Sequence, residues 1–184
     1  REAGKIPDIG KDVAPREINS AGVIGAGTMG RGIAISLADS GLPVTIVETG
    51  QEALDTALAE IEKLYAAMVT RGRIDEAAKA ERMGRITGAV DYAALSDADL
   101  VIEVAFEDMD VKKQIFGALE AVAKPGAILA TNTSYMDIDA IAAATSRPQD
   151  IIGLHYFAPA NVMRMLEVVR PAKCAPDAIA TGMA

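Results

Sequence analysis

The stretch GVIGAGTMGRG, residues 22–32, sets five glycines directly behind a short apolar run. Glycine gives up the most backbone freedom on folding and weakens regular structure by about 0.5–1 kcal/mol per residue relative to alanine. So many together mark a place where a backbone without side chains is needed: a tight turn, close helix packing, or a bound anion. Gly25, Gly27 and Gly30 fit G-x-G-x-x-G. By itself that spacing is weak evidence. A strand-like run before it and apolar residues at helical spacing from Met29 to Leu37 after it make it a strand–turn–helix.

The same alternation continues along the chain. Buried strands are predicted over 18–24, 43–48, 98–104, 127–131, 150–155 and 164–169. Between them, Leu54, Leu58, Ile61, Tyr65 and Met68 form one face of a long helix over 51–71. A more polar helix is expected over 75–83, another from Val111 to Val122 stopped by Pro125-Gly126, and shorter ones at 137–144 and from Pro176. Strands alternating with helices predict an α/β fold: a Rossmann-type, doubly wound, mostly parallel sheet. The last two strands are too close in sequence for a parallel crossover, so the C-terminal side is predicted to be antiparallel.

Composition narrows the function. A net charge of −8 argues against nucleic-acid binding, which rests on a basic excess, and any phosphate must be met locally. One cysteine and one histidine exclude a disulfide framework and a multi-Cys or multi-His metal centre. No apolar run reaches membrane-spanning length, no leader opens the chain, and the cytoplasm is the default location. Residues 1–17, with Pro7, Gly10 and Pro15 among charges, read as a linker to a domain over 18–184. Together with a terminal helix that starts and stops, they suggest a piece of a longer polypeptide.

In a dinucleotide site the first glycine makes the turn, the second admits the pyrophosphate, and the third lets helix and strand pack closely. The helix N-terminus faces the phosphates. Glu48 ends the next predicted strand, where an acid accepts hydrogen bonds from the adenosine ribose. It would repel a 2′-phosphate, and Thr49 is not a compensating arginine, so NAD is favoured over NADP. Further on, Asn132 and Ser134 follow one predicted strand, His155 closes the next, and Glu167 lies among apolar neighbours. If the last two strands fold back around Asn161, Glu167 falls opposite His155. A carboxylate there fixes the imidazole tautomer and compensates the charge gained with a proton, which suits a general base. On spacing alone, a structural pair closing a hairpin fits equally well.

GVIGAGTMGRGIA, ATNTSYMDIDAIA, GLHYFAPANVM and LEVVR together resemble the NAD-binding domain of L-3-hydroxyacyl-CoA dehydrogenases, in order from Ile18 onward. The character is that of bifunctional bacterial fatty-acid oxidation proteins, in which an enoyl-CoA hydratase domain comes first. The resemblance implies that His155 takes the proton from the 3-hydroxyl of an acyl-CoA as hydride leaves for NAD. It also implies that Glu167 orients His155 and that Ser134 hydrogen-bonds near the reacting oxygen and the nicotinamide. On the cofactor side it implies Gly25, Gly27, Met29, Gly30, Glu48, Ala105, Phe106, Glu107, Lys112, Asn132 and Ser134. Without it, Met29 reads as core and Lys112 as a solvated surface charge.

Two departures matter. Ala158 stands where relatives usually carry a polar residue beside the cofactor. The family also uses an asparagine from a following helical domain, which carries the dimer contact and lies outside this chain. The resemblance therefore implies a homo-oligomeric parent, and a chain that binds NAD but turns over acyl-CoA poorly. Arg71, Arg73, Lys79, Arg82 and Arg85 could greet the coenzyme A phosphate, although with Asp75, Glu76 and Glu81 among them a solvated helical hairpin is favoured. Two other readings stay open: a dehydrogenase of small free hydroxyacids, which would use a lysine in a later domain, and a silent NAD-binding module.

Overall fold

The structure, a computed structural model, describes residues 6, 9, 10 and 12–184. Its strands are β1 (Ala21–Ile24), β2 (Val44–Val47), β3 (Ile86–Ala89), β4 (Leu100–Glu103), β5 (Ile128–Thr131), β6 (Ile151–Tyr156) and β7 (Leu166–Val169). Its helices are α1 (Thr28–Asp39), α2 (Gln51–Thr70), α3 (Glu76–Gly84), α4 (Met109–Val122), α5 (Ile138–Ala142) and α6 (Pro176–Met183). The strands form one sheet in the order β3-β2-β1-β4-β5-β6-β7, parallel except for the last pair. The chain leaves β1 toward one edge and returns to β4 on its other side, so the topology switches between β1 and β4. Ligands bind beyond the carboxyl ends of the strands at such a point.

Alternate residues of the central strands enter two cores, as the two-residue period of a strand dictates. Val23, Ile102 and Ile128 face a core covered by α1, α2 and α6; Ile24, Val101 and Leu129 face one covered by α4 and α5. On α2 the buried residues Leu54, Ala57, Ile61 and Tyr65 follow the expected stripe, and the Tyr65 hydroxyl donates to Asp39 at 2.9 Å.

Two expectations shift. Strand β1 starts at Ala21, not at Ile18, because the amides of Asn19 and Ser20 donate to the Asp99 carboxylate (2.9 and 3.1 Å). Strand β3 is not signalled by the sequence: it is an edge strand, with Thr87 and Gly88 exposed and only Ile86 buried.

The span read as a linker lies partly outside the described residues. Within it, Ile6 and Ile9 pack on the core, and the Arg16 guanidinium grips Asp177 (2.9 and 3.0 Å) and Asp150 (2.6 Å). Arg16 holds the Asp177 carboxyl below the usual carboxylate range, against partial burial. Such a carboxylate contributes stability above its unfolded pKa and loses it as pH falls through the lower folded value. Asp177 is 42 % exposed, so solvent screening limits the gain. Arg16→Ala is expected to lower stability by about 1–2 kcal/mol at neutral pH. Chemical denaturation should show that difference shrinking below about pH 4.

Candidate functional site

The glycine turn is built by two different necessities. Gly25 has φ +100°, a conformation L side chains rarely adopt, and a Cβ there would lie 2.8 Å from the Val104 carbonyl oxygen. A Cβ on Gly30 would collide with the Gly25 carbonyl oxygen, so α1 reaches the end of β1 only because that atom is missing. Gly27 is different. Its φ of −65° suits any residue, a Cβ would meet nothing within 4 Å, and its backbone lines a cleft at the carboxyl end of the sheet. Neither the backbone conformation nor packing within the chain requires a glycine there. Gly27 also caps α1 without a side-chain hydrogen bond, and the first turn holds no acid, which leaves its amides for an anion.

That cleft, about 910 Å³ in volume, opens across the ends of β1, β2 and β4. Gly25, Gly27, Glu48, Ala105 and Phe106 line it, as do Val90, Asp91, Tyr92 and Gln114. Glu48 accepts the Ala26 amide at 2.9 Å on one oxygen and the Thr49 amide at 2.7 Å on the other. Burial opposes its ionisation, but these amides outweigh burial and hold its carboxyl below the usual range. Glu48 therefore stays charged where a ribose would lie. Asp91 and Tyr92 follow β3, and overlooking that strand hides them. Burial, with Glu103 and Glu48 nearby, pushes the Tyr92 phenol up, so it faces the cleft uncharged.

The second group lies further along the same edge. His155 and Glu167 are direct partners in the β6–β7 register, and the imidazole Nδ1–H donates to Glu167 Oε2 at 2.9 Å. The carboxylate thereby leaves Nε2 as the proton acceptor. The Phe157 ring centroid lies 4.6 Å from that of His155. The Tyr156 amide donates to Asn132 Oδ1 at 2.8 Å, which fastens the turn after β5 to β6. Ser134 is exposed in that turn, and its amide donates to Glu107 at 3.3 Å.

Three residues take positions the sequence did not settle. Lys112 is 1 % exposed and sits between Glu103 (2.9 Å) and Glu107 (3.4 Å), so it is not a solvated charge. Met29 is half-buried and packs against the core that covers α1. Ala158 is exposed in the loop after β6. Of the basic residues on α2 and α3 and their borders, Lys79 pairs with Glu62 on α2, Arg82 with Asp39 at the end of α1 and Arg85 with Glu81 on α3.

A parallel sheet in this order, with a ligand-facing glycine turn at its switch point and an acid closing the adjacent strand, defines a dinucleotide-binding domain. The chain belongs to the family described as 3-hydroxyacyl-CoA dehydrogenase, NAD binding domain, which matches residues 20–184. It is 44 % identical over 174 residues to the peroxisomal bifunctional enzyme of Cavia porcellus, covering 94 % of this chain and 24 % of that protein. It is 39 % identical over 168 residues to a fatty acid oxidation complex subunit alpha of Psychrobacter cryohalolentis, covering 91 % of this chain and 23 % of that one. The crystal structure of 3-hydroxybutyryl-CoA dehydrogenase from Escherichia coli superposes with a TM-score of 0.87 at 39 % identity, over 89 % of this chain and 35 % of that one. The chain thus spans about a quarter of the length of these two curated relatives.

The glycines give a paired test. Gly30→Ala should destabilise the fold by about 1–3 kcal/mol, the range for overpacking a close contact. Gly27→Ala should leave the melting temperature unchanged while weakening NAD binding at least about tenfold, or ~1.4 kcal/mol. Differential scanning fluorimetry and titration calorimetry separate the two.

Proposed function

We propose that this chain is the cofactor and proton-handling domain of an enzyme that oxidises L-3-hydroxyacyl-CoA to 3-ketoacyl-CoA in fatty-acid β-oxidation. The observation that carries this reading is the His155–Glu167 pair, at 2.9 Å in direct register, on the carboxyl side of the sheet that bears the glycine turn. When bound, NAD supplies the hydride acceptor.

Gly25, Gly27 and the first turn of α1 hold the pyrophosphate, and Glu48 receives the adenosine ribose. Met29, Ala105, Phe106, Glu107 and Asn132 complete the surface along which the cofactor lies, and the buried Gly30 and Lys112 support it from behind. His155 Nε2 removes the 3-hydroxyl proton, Glu167 fixes the ring through Nδ1, and Ser134 hydrogen-bonds the same oxygen. Proton transfer by a positioned side chain contributes roughly 10²–10⁴-fold. The relatives' greater length supports a multifunctional parent, with residues 1–17 joining an upstream hydratase domain. A following helical domain would close the site and make the homo-oligomer contact. Among the described residues no helix is long and apolar enough to cross a membrane. We assign the cytoplasm; relatives named as peroxisomal make that organelle the competing location.

Two measurements test this. Calorimetry should detect NAD and find NADP at least about tenfold weaker, with Glu48→Ser/Thr49→Arg reversing the order, as expected when one charge repulsion of ~1.4 kcal/mol is removed. In a protein that joins this domain to a helical partner, His155→Gln should cut 3-hydroxyacyl-CoA oxidation roughly 10²–10⁴-fold without changing NAD affinity. Full oxidation by His155→Gln, or no heat with NAD, would contradict the proposal.

A further inference from the structure

We propose that Glu103, which has no direct part in the scheme above, is a positioning residue that fixes the two loops meeting the nicotinamide half of NAD. The inference rests on the cofactor reading just given. Glu103 closes β4 and is fully buried. One carboxylate oxygen accepts the Ala105 amide at 2.7 Å and Lys112 Nζ at 2.9 Å. The other accepts the Thr131 hydroxyl at 2.7 Å and Lys112 Nζ at 3.0 Å. Its main-chain oxygen accepts the Asn132 amide at 2.9 Å. One residue therefore holds the start of the turn after β4 and the start of the turn after β5.

The connection continues outward. Lys112 Nζ is also 3.4 Å from Glu107 Oε2, and the second Glu107 oxygen accepts the Ser134 amide. The Thr133 amide donates to the Thr131 hydroxyl at 3.3 Å. With Glu48 on the β2 side and Gly27 at the crossover, the remaining half of a dinucleotide runs over these two turns. Burial of an ion pair is costly, and apolar residues of similar size often stabilise a core at least as well. The bonds of Glu103 end on Ala105 and Asn132 in the two turns, on Thr131 at the end of β5 and on Lys112 in the first turn of α4, which reaches Glu107 in turn, so what the pair contributes is the placement of Ala105, Glu107 and Ser134. A single charge change in the pair would strand a buried ion, whereas Glu103→Gln/Lys112→Met is neutral and of similar shape. It can keep the Ala105 and Thr131 contacts while losing the tether to Glu107.

The test compares a ligand that spans the site with one that fills only its adenosine half. NADH binding is read by the change in nicotinamide fluorescence, and AMP binding by calorimetry. In Glu103→Gln/Lys112→Met, NADH should bind about tenfold more weakly, as expected when reacting-end groups are misplaced, with AMP unchanged. Thr131→Val, an isosteric change in the middle of the network, should show the same selective loss, about threefold, and carries the test if the double variant does not fold. Unchanged NADH binding in a folded variant, or equal losses of NADH and AMP, would overturn the positioning role. A wild-type chain that binds neither ligand would overturn the cofactor reading itself, and this inference with it.

Discussion

Helix α1 meets the end of β1 at a separation that only a missing side chain allows, with Gly30 against the Gly25 carbonyl oxygen. That contact aims the helix N-terminus at the crossover between β1 and β4. It also leaves Gly27 bare toward the cleft. The site's electrostatics follow from it: an acidic chain of net charge −8 offers no general attraction for phosphates, so uncapped amides and the helix dipole must supply it locally.

The opposite end of the site depends on an antiparallel turn-back. Because β7 reverses against β6, His155 and Glu167 become direct neighbours although twelve residues separate them in the chain. A parallel strand would have needed a crossover and could not have brought the pair together so economically. Asn132, held by the Tyr156 amide, keeps the β5 turn beside them. The glycine turn and the His155–Glu167 pair are therefore parts of one sheet edge.

Much of this was readable from residue order. Periodicity finds β1, β2, β4, β5, β6 and the α2 stripe because those elements are largely buried, and it finds the edge strand β7 because its run is apolar apart from Glu167. The His155–Glu167 register follows from counting across a short hairpin. Strand β3 escapes because Thr87 and Gly88 interrupt its apolar run, and Asp91 and Tyr92 in the cleft escape with it. Lys112 is the most instructive case. A lysine near the start of a helix reads as solvated, and its burial is set by Glu103 on a neighbouring strand, a pairing that no local pattern encodes. Arg16 likewise lies in a polar, proline-bearing stretch, and its partners Asp150 and Asp177 are more than a hundred residues away.

Under the proposed function, one nucleotide spans the sheet edge from Glu48 to His155. A crystal structure of the chain grown with oxidised NAD tests it most directly. The pyrophosphate should rest on the Gly27 backbone, the adenosine ribose on Glu48, and the nicotinamide ring beside Ser134 within reach of His155 Nε2. A nicotinamide ring lodged on the Glu48 side, or an imidazole turned away from it, would contradict the claim.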